Sequence, residues 1–155
     1  MTDQLEIVGE YTSLVNPGID HLRNKCVDDR ERLPFNDILL AEVLAARSKE
    51  VVAVEWREWM SKWSAEPSTH HAYNNAFDFR HLSLEPWGIT SEMQGDCIML
   101  AATKAADRIR WVKLVDSASR WGVSFTGIAH RALVDARAAA EVYVHILRAR
   151  KAINV

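Results

Sequence analysis

Hydrophobic and polar residues alternate near the start of the chain, over residues 5–15. Large apolar side chains fall on one face of an extended chain over residues 5–15: Leu5, Ile7, Tyr11 and Val15. Polar side chains occupy the other face, and a period of two is typical of a half-buried strand. Asn16-Pro17-Gly18 follows and contains residues typical of turns. The pattern therefore predicts a strand over residues 5–15 that ends at this turn.

Two helices are predicted in the middle of the chain, after a charged surface connection over residues 19–34. Residues 35–48 are good helix formers, and Asn36 is suited to the N-cap position. In residues 49–63 an apolar stripe follows the spacing i, i+4, i+7, i+8 and i+11: Val52, Trp56, Trp59, Met60 and Trp63. The tryptophans could stack on bases, but this spacing is what core packing requires, so we favour a core-facing stripe.

The remaining segments alternate between strand and helix patterns. Residues 70–82 are predicted to form a short strand that runs into a helix, and residues 95–101 a short buried strand. Residues 113–121 are predicted to form a helix closed by Gly122. A last helix over residues 132–150 has one apolar stripe: Leu133, Ala136, Ala140, Tyr143 and Leu147. This alternation predicts an α/β domain.

Composition and charge bear on the number of domains, the location and the binding partners that we expect. A chain of 155 residues that is 48% hydrophobic predicts a single domain over residues 1–155. Its apolar runs are too short for a membrane span or a secretory signal, so we expect no membrane association and a cytoplasmic location. The two cysteines, Cys26 and Cys97, lack metal-ligand spacing. A net charge of −2 does not favour nucleic-acid binding, although an enzyme can confine positive charge to a groove.

Three residues are candidates for chemistry. Asp78 follows an apolar pair at the predicted end of a strand, where a carboxylate lies at the carboxyl edge of a sheet; alternatively, it begins a helix. His130 and Asp135 are five residues apart, so His130 has to precede the helix if both address one site. Such a histidine can orient or deprotonate a water, and the carboxylate can hold a divalent ion. The alternative is a solvated loop histidine and an ordinary charge in the first helical turn.

Two segments resemble motifs of one family. Residues 72–82, AYNNAFDFRHL, are similar to the second motif of the DEDDh-type 3′-5′ exonucleases, which include bacterial proofreading subunits and RNase T. Residues 130–143, HRALVDARAAAEVY, resemble the third motif, and residues 9–18 resemble the family's third strand with its turn. The resemblance implies an RNase H-like fold with a truncated mixed sheet flanked by helices.

The resemblance also implies a function and a set of site residues. Asp78 and Asp135 would hold Mg²⁺ or Mn²⁺, His130 would position the attacking water, and the substrate would be the 3′ end of a single-stranded nucleic acid, DNA or RNA. Asn74 and Phe77 match family positions that contact this substrate. The expected activity is hydrolysis of nucleotides from that end by a two-metal mechanism.

Two departures from the family pattern bear on activity. Tyr73 stands where family members often carry a histidine. The first motif, an Asp-x-Glu on an apolar strand, is missing, because Asp29-Arg30-Glu31 fits the letters but lies in a polar segment. We therefore expect impaired hydrolysis. The alternatives are a start assigned too far downstream, a strand donated by a partner or a second copy, or a catalytically inactive relative that binds nucleic acid or a protein.

Overall fold

A computed structural model describes residues 5, 7–18, 38–63, 68–125 and 131–153. These residues contain six α-helices, four short strands and one 3₁₀ helix, so the predicted α/β class is confirmed. They divide into two compact units. Unit one comprises the described parts of Met1–Glu10, Thr69–Leu84 and Gly88–Val155, and unit two those of Tyr11–Ser68 and Glu85–Trp87. The expectation of a single domain stays a prediction.

Unit two begins with a strand that is much shorter than predicted. Strand β1 covers only Val15–Asn16 and pairs in parallel with β2, Arg47–Ser48. Residues 9–14 keep the expected alternation of half-buried and exposed positions, but they find no ladder partner among the described residues. The predicted turn is confirmed, because the Gly18 N–H donates to Oδ1 of Asn16 at 2.9 Å and Gly18 has a φ of 90°.

Helix α1, Leu40–Ala45, begins later than predicted. The backbone of Leu39 is extended, and its N–H donates to the Glu42 carboxylate at 2.9 Å. The Glu42 side chain, in the first turn, therefore accepts a hydrogen bond from the backbone at the start of the helix. Asn36, the expected N-cap, lies outside the described residues, and so do residues 19–34.

Helix α2, Lys49–Ser61, is confirmed, and Ser48 caps it. Its stripe faces the core at Val52, which is buried, and Trp56 packs edge-on against Trp87 at 6.2 Å. Trp63 at the end of the stripe is half exposed. The interpretation as a packing stripe is therefore confirmed at Val52 and Trp56.

Unit one contains the other two strands and four helices. Strand β3, His70–Ala72, is followed by α3, Asn75–Leu82. After a 3₁₀ turn, β4, Gln94–Cys97, pairs in parallel with β3 and leads directly into α4, Ile98–Ala105. Helices α5, Leu114–Trp121, and α6, Ala132–Ile153, complete the unit. The predicted strand over residues 95–101 is wrong in its second half, because the apolar run from Ile98 is the start of a core helix.

The core of unit one lies between α4, α5 and α6. Its buried residues are Ile98, Ala101, Ala102, Ala118, Val123, Ala138, Ala139, Val142 and Ile146. The stripe predicted for the last helix is wrong, since the buried face runs through Ala138, Val142 and Ile146 while Ala136 is exposed. Gly122 ends α5 in the left-handed conformation, with a φ of 68°, as predicted.

The described strands form two separate two-stranded parallel sheets. The single mixed sheet that the resemblance implied is therefore not found among the described residues. None of the described helices is both long and apolar enough to cross a membrane.

Candidate functional site

The connection from β3 to α3 positions the first group of predicted site residues. Strand β3 ends at Ala72, Asn74 is the N-cap of α3, and the Asp78 N–H donates to the Asn74 carbonyl at 3.1 Å. Ala76 and Phe77 are helical, so Asp78 does not lie at the end of a strand. It lies in the first helical turn after β3, which was the alternative drawn from the sequence.

Asp78 is a half-buried carboxylate with a perturbed pKa. Burial raises its pKa above the ordinary aspartate value, opposed by a hydrogen bond from the Asn74 backbone and by the nearby His81. It forms no salt bridge with another described residue. A half-buried carboxylate that forms no salt bridge with a described residue is a candidate binding group, because a bound cation would offset its desolvation.

Asn74 and Phe77 are both accessible to a ligand. Asn74 is exposed and forms no capping hydrogen bond with the described first turn of α3. Phe77 is 59% exposed, and its ring contacts only the edge of His81, at 5.8 Å, among the described rings. An exposed amide and an exposed aromatic ring within one turn of Asp78 could contact a nucleotide by hydrogen bonding and stacking.

The neighbouring Asn75 has a structural role that the sequence did not reveal. Its Oδ1 accepts the Ala72 N–H at 3.0 Å, and its Nδ2 donates to the Gly95 carbonyl at 2.8 Å. These two bonds fix the start of α3 to the parallel strand pair. The local signal was only an Asn-Asn dipeptide, which does not tell which asparagine is bound and which is accessible.

Asp135 lies in the first turn of α6, which begins at Ala132. It is half-buried, and its N–H donates to the Arg131 carbonyl at 3.1 Å. His130 lies outside the described residues, so its relation to Asp135 stays a prediction. The start of α6 after residue 131 agrees with the requirement that His130 precede the helix.

Asp78 and Asp135 have the type of donor atom that a divalent ion prefers, but the described residues do not complete a metal site around them. Carboxylate oxygens are the ligands that Mg²⁺ and Mn²⁺ prefer. Within the described ranges, however, no three His, Cys, Asp or Glu side chains gather into a group that could hold a metal ion. The described residues thus supply carboxylates of the right chemistry without completing a metal site.

His70, His71 and Cys97 belong to the parallel strand pair of β3 and β4. The His71 ring lies 4.8 Å from the ring of Tyr143, and its Nδ1 lies 3.2 Å from the Asp96 carbonyl. Burial lowers the pKa of His70, with a further contribution from His71. The Cys97 thiol donates to the Tyr73 carbonyl at 3.5 Å.

Tyr73, the departure from the family pattern, connects two parts of unit one. Its hydroxyl donates to the Val112 carbonyl at 2.8 Å, and burial raises its pKa. The link runs from the residue just before Asn74 to the segment just before α5.

Comparison with family models, with curated proteins and with solved structures finds no match to this chain.

Proposed function

We propose that this chain is a DEDDh-type 3′-5′ exonuclease domain with an RNase H-like fold, and that it binds the 3′ end of a single-stranded nucleic acid through Mg²⁺ or Mn²⁺. The observation that carries the proposal is the half-buried carboxylate of Asp78, with its raised pKa, one helical turn beyond a parallel strand pair. Ligand sites of α/β proteins commonly lie beyond the carboxyl ends of such strands.

The second carboxylate supports the same proposal. Asp135 is half-buried in the first turn of α6, in the same compact unit as Asp78. Helix N-termini favour anionic side chains, so the position of both residues suits a carboxylate ligand. A bound divalent ion would neutralise charge on a phosphodiester.

The remaining residues have roles in holding the strand. Phe77 stacks on the terminal base, and Asn74 hydrogen-bonds to the sugar or the base edge, because both side chains are exposed next to Asp78. His130 positions water at the phosphodiester. Hydrolysis is impaired in these 155 residues, since the sequence has no Asp-x-Glu on an apolar segment.

The test is metal-dependent recognition of a 3′ end. Binding of a labelled single-stranded oligonucleotide with a 3′ hydroxyl is compared with binding of the same strand blocked by a 3′ phosphate, in Mn²⁺ and in EDTA. We expect the chain to prefer the 3′ hydroxyl in Mn²⁺ only. Asp78→Asn and Asp135→Asn should each remove this preference, whereas Asp116→Asn, at an exposed position in the same unit, should keep it.

Two results would contradict the proposal. One is equal binding of both strands in Mn²⁺. The other is a preference that survives in both Asp78→Asn and Asp135→Asn. Release of nucleotides from the 3′ end should be absent or very slow, and a rapid release that Asp135→Asn abolishes would show that other acids complete the site and that hydrolysis is not impaired.

A further inference from the structure

The segment between α4 and α5, residues 106–113, is the most exposed apolar and basic part of unit one. Ile109 is fully exposed and Trp111 is 72% exposed, the two largest values among the exposed large hydrophobic side chains of the described residues. Three basic residues accompany them: Arg108, Arg110 and Lys113. We call residues 106–113 the basic loop.

The base of this loop is fixed by hydrogen bonds. The buried Thr103 accepts the Arg108 N–H at its carbonyl, at 3.1 Å, and the Val112 N–H at its hydroxyl, at 3.2 Å. On the other side, the Tyr73 hydroxyl donates to the Val112 carbonyl at 2.8 Å. The exposure of Ile109 and Trp111 is therefore imposed by a loop that is held at both ends.

No ion pair among the described residues uses the charges of the basic loop. Neither Arg108, Arg110 nor Lys113 forms a salt bridge with a residue that the structure describes. Trp111 likewise contacts no other described aromatic ring. Because the chain as a whole has a net charge of −2, this surplus of positive charge is local.

We infer that the basic loop is a binding site for the backbone and bases of single-stranded nucleic acid. Trp111 stacks on a base, and Arg108 and Arg110 contact phosphates on either side of it. Single strands are commonly bound by exposed aromatic rings interleaved with cations, since every base has a face for stacking and every linkage has a charge. An acidic peptide would match the cations, but it would leave Trp111 without a stacking partner.

The inference goes beyond the metal-dependent site, because neither Asp78 nor Asp135 takes part in it. The experiment therefore uses a labelled circular oligodeoxythymidine, which has no 3′ end, and EDTA, which removes divalent ions. Fluorescence anisotropy measures the affinity of the full chain at several salt concentrations.

Substitutions in the basic loop should weaken this binding. Trp111→Ala should lower the affinity about tenfold, and Trp111→Phe should restore most of the loss. Arg108→Ala and Arg110→Ala should each reduce the slope of log K against log salt by about 0.7, the value for one phosphate contact to a single strand. Matched controls in unit two are Trp63→Ala and Lys62→Ala, both at exposed positions, and they should leave the affinity unchanged.

Several outcomes would overturn the inference. These are an unchanged affinity in Trp111→Ala, an unchanged salt slope in both Arg108→Ala and Arg110→Ala, and the binding of a polyglutamate peptide as tightly as the circle with the same dependence on Trp111. If circle binding depends on Trp111 while the 3′-end preference in Mn²⁺ is absent, the proposed function fails and the basic loop stands.

Discussion

The hydroxyl of Tyr143 donates a 2.9 Å hydrogen bond to Oδ2 of Asp96 and so joins the middle of α6 to strand β4. The same carboxylate oxygen lies 3.8 Å from the guanidinium of Arg150, two turns further along α6. Asp96 therefore holds α6 at two points. Asp135 lies two turns before Tyr143 on the same helix. The hydrogen bond between Tyr143 and Asp96 therefore also helps to fix the position of Asp135.

Tyr143→Phe should lower the free energy of unfolding by about 1 kcal/mol, since it removes a hydrogen bond to a partly exposed carboxylate while keeping the ring against His71. Urea unfolding at neutral pH measures the change. Asp96→Asn should cost a similar amount, and the double variant should cost clearly less than the sum. Additive effects of the two substitutions would show that the hydroxyl and the carboxylate are not coupled.

The same contact predicts a dependence on alkaline pH. Burial, followed by the bond to Asp96, raises the pKa of Tyr143 from 10.0 to about 12. Because the folded pKa is above the unfolded one, this contribution to stability is complete below pH 10 and is lost as pH rises towards 12. Absorbance titration of the tyrosines should show a late transition in the parent, and Tyr143→Phe should remove it.

Gly95 lies where no side chain fits. A Cβ added there would meet Cγ2 of Thr69 at 2.6 Å and Nδ1 of His71 at 2.7 Å, on the adjacent strand segment. Gly95→Ala should therefore cost on the order of 2 kcal/mol of unfolding free energy, measured in urea. Adding His71→Ala should recover part of the loss. If Gly95→Ala left the free energy of unfolding unchanged, β3 and β4 would not be packed this closely.

The buried face of α6 gives a matched pair of substitutions. Ala138 is 2% exposed against α4 and α5, so Ala138→Leu should overpack this core and cost about 1–3 kcal/mol. Ala136→Leu, on the face that the sequence pattern favoured, should change the stability by less than about 0.5 kcal/mol, because Ala136 is exposed. Thermal unfolding of the two variants distinguishes the faces, and equal losses would contradict this packing.

This pair also illustrates what the sequence could not decide. Helix α6 has alanine on most of its faces, so hydrophobic periodicity leaves the buried side open, and packing against α4 and α5 selects it. The run from Ile98 has the composition of a buried strand, yet it forms a core helix, while the real strand β4 contains Gln94 and Asp96. A two-stranded sheet buries little, so its residues need not be apolar.

Local signals, by contrast, were sufficient where one residue type meets one backbone requirement. Gly122 ends α5 with a positive φ, as predicted. Ser48, which caps α2, was instead expected at the end of the preceding helix. For the candidate site, the sequence placed Asp78 and Asp135 near helix starts. It could not predict that Asn75 bonds Gly95, since that contact depends on a pairing twenty residues away.

The raised pKa of Asp78 predicts that its ionised form destabilises the fold. Burial is the main cause, so the folded state holds the proton more tightly than the unfolded state does. Stability therefore declines as pH rises from the ordinary aspartate pKa through the raised one, and the loss is complete above it. Asp78→Asn removes the charge and should raise the urea midpoint at pH 8, with no gain below the ordinary aspartate pKa. A divalent ion bound at Asp78 would reverse the effect, so Mn²⁺ should stabilise the parent at pH 8 and leave Asp78→Asn unchanged. Equal stabilisation of both proteins by Mn²⁺ would place the ion elsewhere.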